Sequence, residues 1–321
     1  MLNLIQSWDS NIYLQLAQNG YTNLGDPSNW IVFLPLFPKV LSFTTKIFGF
    51  KFFAIQATVL TISSLAMFSF YSMTKLVFNK NIAKKALLFL LICPTFYFLL
   101  IPYAEGLFIL LFSLAYLADY KKKYLLAGIF SGLASITRPF GLLIAPSLVL
   151  GSKKKTFRKV VSLLFPTAIF YSLYLLLNYK LFGDPFVFRK ILSEHWHKEF
   201  SLPFIGIYGS WRTLFGVGTP ERKLMIGGSE AVVSTLLWVL IPIAFSKLNR
   251  KMFFYYLLST VLATSTSFLL SIPRYLLSIP PFFVMLAKAI NNKYVILIFI
   301  LLGAIANVFL LNRFLLGMWA Y

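Results

Sequence analysis

KKALLFLLICPTFYFLLIPYAEGLFILLFSLAYLADYKKK, residues 84–123, runs from one lysine cluster to another through two apolar stretches parted at Pro102-Tyr103-Ala104-Glu105. Each stretch approaches the ~20 residues that a helix needs to cross a bilayer. Hydrocarbon satisfies no backbone polar group, so repeated apolar runs of this kind should be helical. With lysines at both ends, the positive-inside rule places both ends in the cytoplasm. The stretch therefore reads as a helical hairpin, 84–101 and 104–119, with Glu105 near its outer tip.

The same punctuation continues along the chain. Basic loops recur at Lys75 with Lys80, Lys84 and Lys85; at 121–123; at 153–155 with Arg158 and Lys159; at Lys247, Arg250 and Lys251; and at Lys288 and Lys293. If all are cytoplasmic, the chain between them crosses in pairs: 124–137 with 139–151, 157–181 with 230–246, and 252–270 with 274–290. A span at 52–74 leads into the first basic loop, and 293–311 leads out of the last. Composition agrees, with 59% of the 321 residues hydrophobic and 12% charged, and a mean hydropathy of +0.79. A soluble globular domain does not carry that balance. The net charge of +21 sits in the short loops, as topology demands, so nucleic acid is not an expected partner. The expected fold is an all-α membrane protein, a polytopic bundle of about ten transmembrane helices with extracytoplasmic interfacial helices. Cys93 has no second cysteine to pair with, and no basic region followed by an apolar core marks a cleavable signal peptide.

Carboxylates test the phase independently, because only lysines and arginines set it. Eight of the nine, namely Asp9, Asp26, Glu105, Asp184, Glu194, Glu199, Glu221 and Glu230, fall on the outer side, leaving only Asp119 inside. The outer face also holds the longest polar segments, so chemistry is expected there. One integral membrane domain results: an interfacial or re-entrant segment 1–50, a bundle 51–181, an outer loop 182–229, and a second bundle portion 230–321. Within the first segment, Leu4, Trp8, Ile12 and Leu16 make an apolar stripe on a helix expected to lie along the interface and stop at Asn19-Gly20. Pro35, Pro38, Lys39 and Lys46 argue against a simple crossing by 30–50.

Several short motifs occur in order: Trp8-Asp9-Ser10 with Tyr13 and Leu14; Gly20-Tyr21; 33–38, FLPLFP; 103–108, YAEGLF; Thr137-Arg138-Pro139; 182–185, FGDP; and Pro273-Arg274-Tyr275-Leu276. On these pieces the chain resembles the PIG-V type of mannosyltransferase, within the multi-spanning glycosyltransferases of GT-C fold. The resemblance covers residues 8 to about 290. It implies a catalytic carboxylate in the first outer loop, a polyprenyl- or dolichyl-phosphate mannose donor, a glycan or glycolipid hydroxyl as acceptor, and inversion. It also implies a transmembrane helix ahead of Trp8, where seven residues stand. Residence would be the cytoplasmic membrane of a prokaryote or the endoplasmic reticulum of a eukaryote.

Transfer to a hydroxyl needs a base to take the acceptor proton, and a carboxylate suits it. Asp9 is the candidate for that role. Arg138 and Arg274, each beside a proline near an outer span end, are candidates to hold the donor phosphate, with an ion pair to Glu105 as the structural reading. Trp8, Tyr13, Asp26, Tyr103, Glu105, Asp184 and Tyr275 complete the expected substrate-binding set. Glu105 also suits the first turn of its helix, and Asp26-Pro27 suits a turn. His195 and His197, two apart, would need a strand or loop to share a metal and lack a third partner, so no metal and no cofactor are expected. Trp196 and Trp211 read as interfacial belt residues. No nucleotide-binding fingerprint appears. The alternatives are a transporter or flippase for a lipid-linked saccharide, and a non-catalytic membrane subunit.

Overall fold

A computed structural model describes residues 7–320, which are helical with short loops. Among them the only strand-like pairing is a bridge between Phe200 and Thr266. The helices Phe52–Val77, Phe157–Phe182 and Lys293–Leu315 are each long and apolar enough to cross a membrane, and two bent pairs could add to them. Their bounds lie close to those read from the sequence.

The other expected spans correspond to shorter pieces. The 84–101 run becomes the helix Lys80–Leu91, a turn at Cys93-Pro94, and a 3-10 turn Phe96–Leu99. Pro94 lacks an N–H and disfavours helical geometry at Cys93, which stops the helix there. The hairpin partner, Glu105–Tyr120, is continuous. The second hairpin is two short helices, Tyr124–Ser135 and Ile144–Leu150, broken at Arg138 and joined through the 3-10 turn Pro139–Leu143. The 252–270 run is helical only over Arg250–Thr264. Beyond it the backbone pairs with the outer loop, through Ser201 N–H to the Ser265 carbonyl (3.1 Å) and Ser267 N–H to the Glu199 carbonyl (2.9 Å).

Close helix contact is bought with small residues. On Tyr124–Ser135, Gly128 and Gly132 share one face against Phe157–Phe182. A Cβ at Gly128 would stand 2.1 Å from the Ser162 carbonyl oxygen, and one at Gly132 2.9 Å from that of Pro166. Glycines four apart at a helix crossing are a membrane solution, since lipid gives helices no hydrophobic reason to associate.

The N-terminal region needs correcting. Leu4 lies outside the described residues, and Trp8 precedes the helix, which runs Asp9–Asn19 and ends at Gly20 with φ 75. Its buried face is Ser10, Tyr13, Leu14, Leu16 and Ala17, so of the expected stripe's described residues Leu16 is buried, Ile12 half-buried and Trp8 exposed. Tyr13 packs edge-on against Phe33 and Phe37, 5.3 and 5.1 Å between centroids. Protein contacts, not a lipid surface, choose the face. The chain then forms the 3-10 turn Asp26–Val32 and the helix Leu36–Phe48, whose axes meet at 115°. At 13 residues that helix spans about 20 Å, short of a ~30 Å hydrocarbon core.

Glu105–Tyr120 carries a carboxylate at each end. At one end Asp119, 4% exposed, accepts from Lys251 Nζ and lies 3.7 Å from Lys159 Nζ. Nearby, Tyr116 meets Ser147 Oγ and donates to the Lys251 carbonyl, both at 3.2 Å. Three of the basic loops thus converge on one buried aspartate, so they share a face. Lys85 joins the 80–85 loop to the 290s by donating to the Asn291 side chain at 2.8 Å. At the other end Glu105 enters a second charged cluster, about 21 Å away along the helix axis.

The shared face predicts accessibility. In a Cys93→Ser background, single cysteines at the exposed positions Lys122, Lys154 and Lys247 should label from one side of sealed vesicles, and one at Lys190 from the other. Labelling of 122 and 154 from opposite sides would contradict the fold.

Candidate active site

The second cluster is built from four chain segments. Arg274, 7% exposed, donates from Nη1 to Asp9 Oδ2 at 2.6 Å and from Nε to Glu105 Oε1. Arg138 Nη1 donates to the same Glu105 oxygen. Two carboxylates and two guanidinium groups therefore balance in a chain, Asp9–Arg274–Glu105–Arg138. Aromatic faces line it: the Arg274 guanidinium lies 4.5 Å from the Tyr103 ring centroid and 4.9 Å from that of Phe98. Arg138 lies 5.6 Å from that of Tyr275. Burial of charge on this scale is tolerated only when it is paired.

Asp9, Arg138 and Arg274 of the cluster line a cavity of ≈ 1230 Å³, together with residues of the segment 184–200 and with both apolar and charged side chains. Within it the sequence candidates separate. Glu105 is fully buried (0%) and cannot touch a substrate. Its position in the first turn of its helix fits its structural reading. Asp9 keeps 29% of its side chain exposed and lines the cavity together with Trp8, Tyr13, Arg138, Asp184, Arg274 and Tyr275. Tyr103 lies beneath Arg274, 2% exposed and outside the lining. Asp26 is exposed at the start of its 3-10 turn and lies outside the lining. Asp184 is on the rim, accepting from the Phe186 N–H at 2.8 Å, a local Asx turn.

Both arginines turn out to be engaged by carboxylates, the structural reading of the sequence. Burial, and then the charge of Glu105, pushes the Tyr13 phenol up, which favours its protonated form. Glu199 lines the cavity but accepts from Ser193 Oγ at 3.0 Å. Asp9 is the cavity-facing carboxylate that a buried cation fixes in place. Trp8, just before it, holds a left-handed φ of 56, rare for a bulky residue, and packs edge-on against Trp319 at 5.4 Å.

His195 is in the last turn of the helix Val187–Trp196, and His197 follows as its left-handed C-cap at the start of a loop. Among the described residues no three His, Cys, Asp or Glu side chains come together to hold a metal. Trp196 lines the cavity and packs on Phe33, 6.2 Å between centroids. Trp211 donates to Thr235 at 3.0 Å. Lys198, which the sequence reading passed over beside those histidines, also lines the cavity. Its Nζ donates to Tyr275 Oη at 2.5 Å and to the Leu270 carbonyl at 3.3 Å. It forms no ion pair among the described residues.

Glu105→Ala would leave two buried guanidinium groups facing one partly exposed carboxylate, at a cost of about 3–5 kcal/mol. A large fall in thermal midpoint in detergent is expected, with a smaller one for Glu105→Gln. A wild-type midpoint for Glu105→Ala would mean that the pairing does not hold the four segments together.

No protein-family model matches the sequence, and no curated protein does either. Solved structures do. The chain is similar to ArnT from Cupriavidus metallidurans bound to undecaprenyl phosphate, with a TM-score of 0.53 and 14% identity over 98% of this chain and 71% of that one. It is similar to the same protein in its apo state, with a TM-score of 0.52 and 15% identity over 96% and 67%. At such identity the likeness shows the fold alone: this chain shares the all-helical architecture of that protein.

Proposed function

We propose that the protein is an integral membrane glycosyltransferase that moves a hexose, mannose by its motif resemblance, from a polyprenyl- or dolichyl-phosphate donor to a glycan or glycolipid hydroxyl. The observation that carries this reading is a partly exposed carboxylate, Asp9, held by a buried arginine at the inner wall of a large, mostly apolar cavity. The setting is a fold shared with a protein solved with undecaprenyl phosphate. Apolar walls suit a lipid chain and charged ones suit a phosphate and sugar. The shared basic face lies at the far end of the bundle, which supports an extracytoplasmic site.

In this mechanism the acceptor hydroxyl lies against Asp9, which takes its proton as oxygen attacks the anomeric carbon. The carbon–oxygen bond to phosphate breaks on the opposite side of that carbon, so configuration inverts. One base and no enzyme nucleophile are needed, unlike the paired carboxylates of retaining hydrolysis. Arg274 fixes the Asp9 carboxylate, so that little reorganisation remains when the proton moves. The departing lipid phosphate needs positive charge. Arg138 and Arg274 supply part of the field, and Lys198, which forms no ion pair among the described residues, adds a further cation. The aromatic rings of Trp8, Trp196 and Trp319 around the cavity offer flat apolar faces to the C–H face of a pyranose.

Asp9→Asn retains shape and hydrogen bonding but loses the base. Its turnover should fall ~10²–10⁴-fold, while its thermal midpoint, lowered by the lost charge beside Arg274, should fall less than that of Glu105→Ala because Asp9 is partly exposed. Near-normal turnover in Asp9→Asn would remove Asp9 from the mechanism.

A further inference from the structure

Glu230 stands in the first turn of the helix Ser229–Val239 and is fully buried (0%). It forms no ion pair among the described residues. Both its oxygens are instead occupied by consecutive backbone N–H groups, Ser271 to Oε1 at 2.6 Å and Ile272 to Oε2 at 2.8 Å. Ser271 is itself unusual, with φ 69 and ψ 25 in the left-handed region. A side chain there is strained, and such strain persists only where surroundings enforce it. Pro273 follows, with its fixed φ, and then Arg274, which reaches Asp9 and Glu105.

We infer that Glu230 is a positioning residue: its carboxylate, supplied by a separate helix, clamps the Ser271–Ile272 turn in the left-handed conformation that aims Arg274 at Asp9. The effect on rate rests on the transferase reading, whereas the clamp itself is a property of the fold. A carboxylate suits the task because it accepts both N–H bonds at once, with charge assistance. An amide would turn its own donor towards one of them.

The turn geometry provides a discriminating test. Glycine adopts positive φ without the side-chain penalty, so Ser271→Gly should partly relieve the need for the clamp. The experiment compares wild type, Glu230→Gln, and Glu230→Gln combined with Ser271→Gly. It measures hydrogen–deuterium exchange of the 268–279 peptide in detergent and turnover with a polyprenyl-phosphate hexose. Glu230→Gln should speed exchange of the peptide about tenfold, as expected for a lost buried hydrogen bond. It should lower kcat by up to ~10²-fold, the effect of a misplaced catalytic constellation, with donor KM nearly unchanged. Adding Ser271→Gly should recover kcat about threefold or more, within the range of a relieved left-handed strain.

Unchanged exchange in Glu230→Gln would overturn the inference, as would a rise in KM alone or the absence of recovery in the double variant. If Glu230→Gln does not fold, Glu230→Asp carries the same comparison, since the shorter carboxylate retains charge but cannot span both N–H groups. A wild-type protein inactive with every lipid-phosphate hexose would defeat the transferase reading, and the exchange comparison would still decide the clamp.

Discussion

The fold depends on the buried alternation of charge from Asp9 through Arg274 and Glu105 to Arg138. These residues come from four segments far apart in sequence, and none could be buried alone without a penalty of several kcal/mol. Together they neutralise one another, so the bundle is obliged to close with the N-terminal helix, the first hairpin tip, the Arg138 break and the Pro273 turn in contact. That closure also exposes Asp9 to the cavity. The constraint that makes the fold specific is also the one that places Asp9 at the cavity.

A second constraint comes from thickness. The helix Glu105–Tyr120 carries the Arg-bound cluster at one end and the Asp119 clasp at the other, about 21 Å apart. The surrounding hydrocarbon is about 30 Å thick. At least one cluster must therefore sit below a membrane surface, and for the transferase proposed above depth is useful beside Glu105. A sugar bonded to a lipid phosphate has its reacting carbon near that boundary and its chain in hydrocarbon. Short, broken helices are how the bundle lowers polar groups to that level while keeping the long helices, such as Phe157–Phe182, spanning beside them.

Much of this was legible in the sequence for identifiable reasons. Lysine clusters separated by apolar runs carry topology directly, and Phe157–Phe182 and Glu105–Tyr120 match their expected bounds within one residue. Arg138 and Arg274 stood out because a cation near hydrocarbon needs an explanation. Other features depend on contacts between distant segments, which period and propensity do not encode. The buried face of Asp9–Asn19 is chosen by Phe33 and Phe37, Trp196 turns inward onto Phe33, and Asp26 is left aside. Glu230 looked like one more outer carboxylate, because nothing local reveals that two N–H groups some forty residues later lie on it. Lys198 was masked by the histidines beside it.

The central claim is that the cavity breaks the bond between sugar and lipid phosphate. It is tested most directly by incubating the purified protein, reconstituted in vesicles, with polyprenyl-phosphate hexoses labelled in the sugar and with glycolipid acceptors. The account predicts that label leaves the lipid phosphate and appears on an acceptor hydroxyl with inverted anomeric configuration. Label that remains on the polyprenyl phosphate while crossing from one leaflet to the other would contradict it, and would make the protein a transporter of the intact lipid-linked sugar.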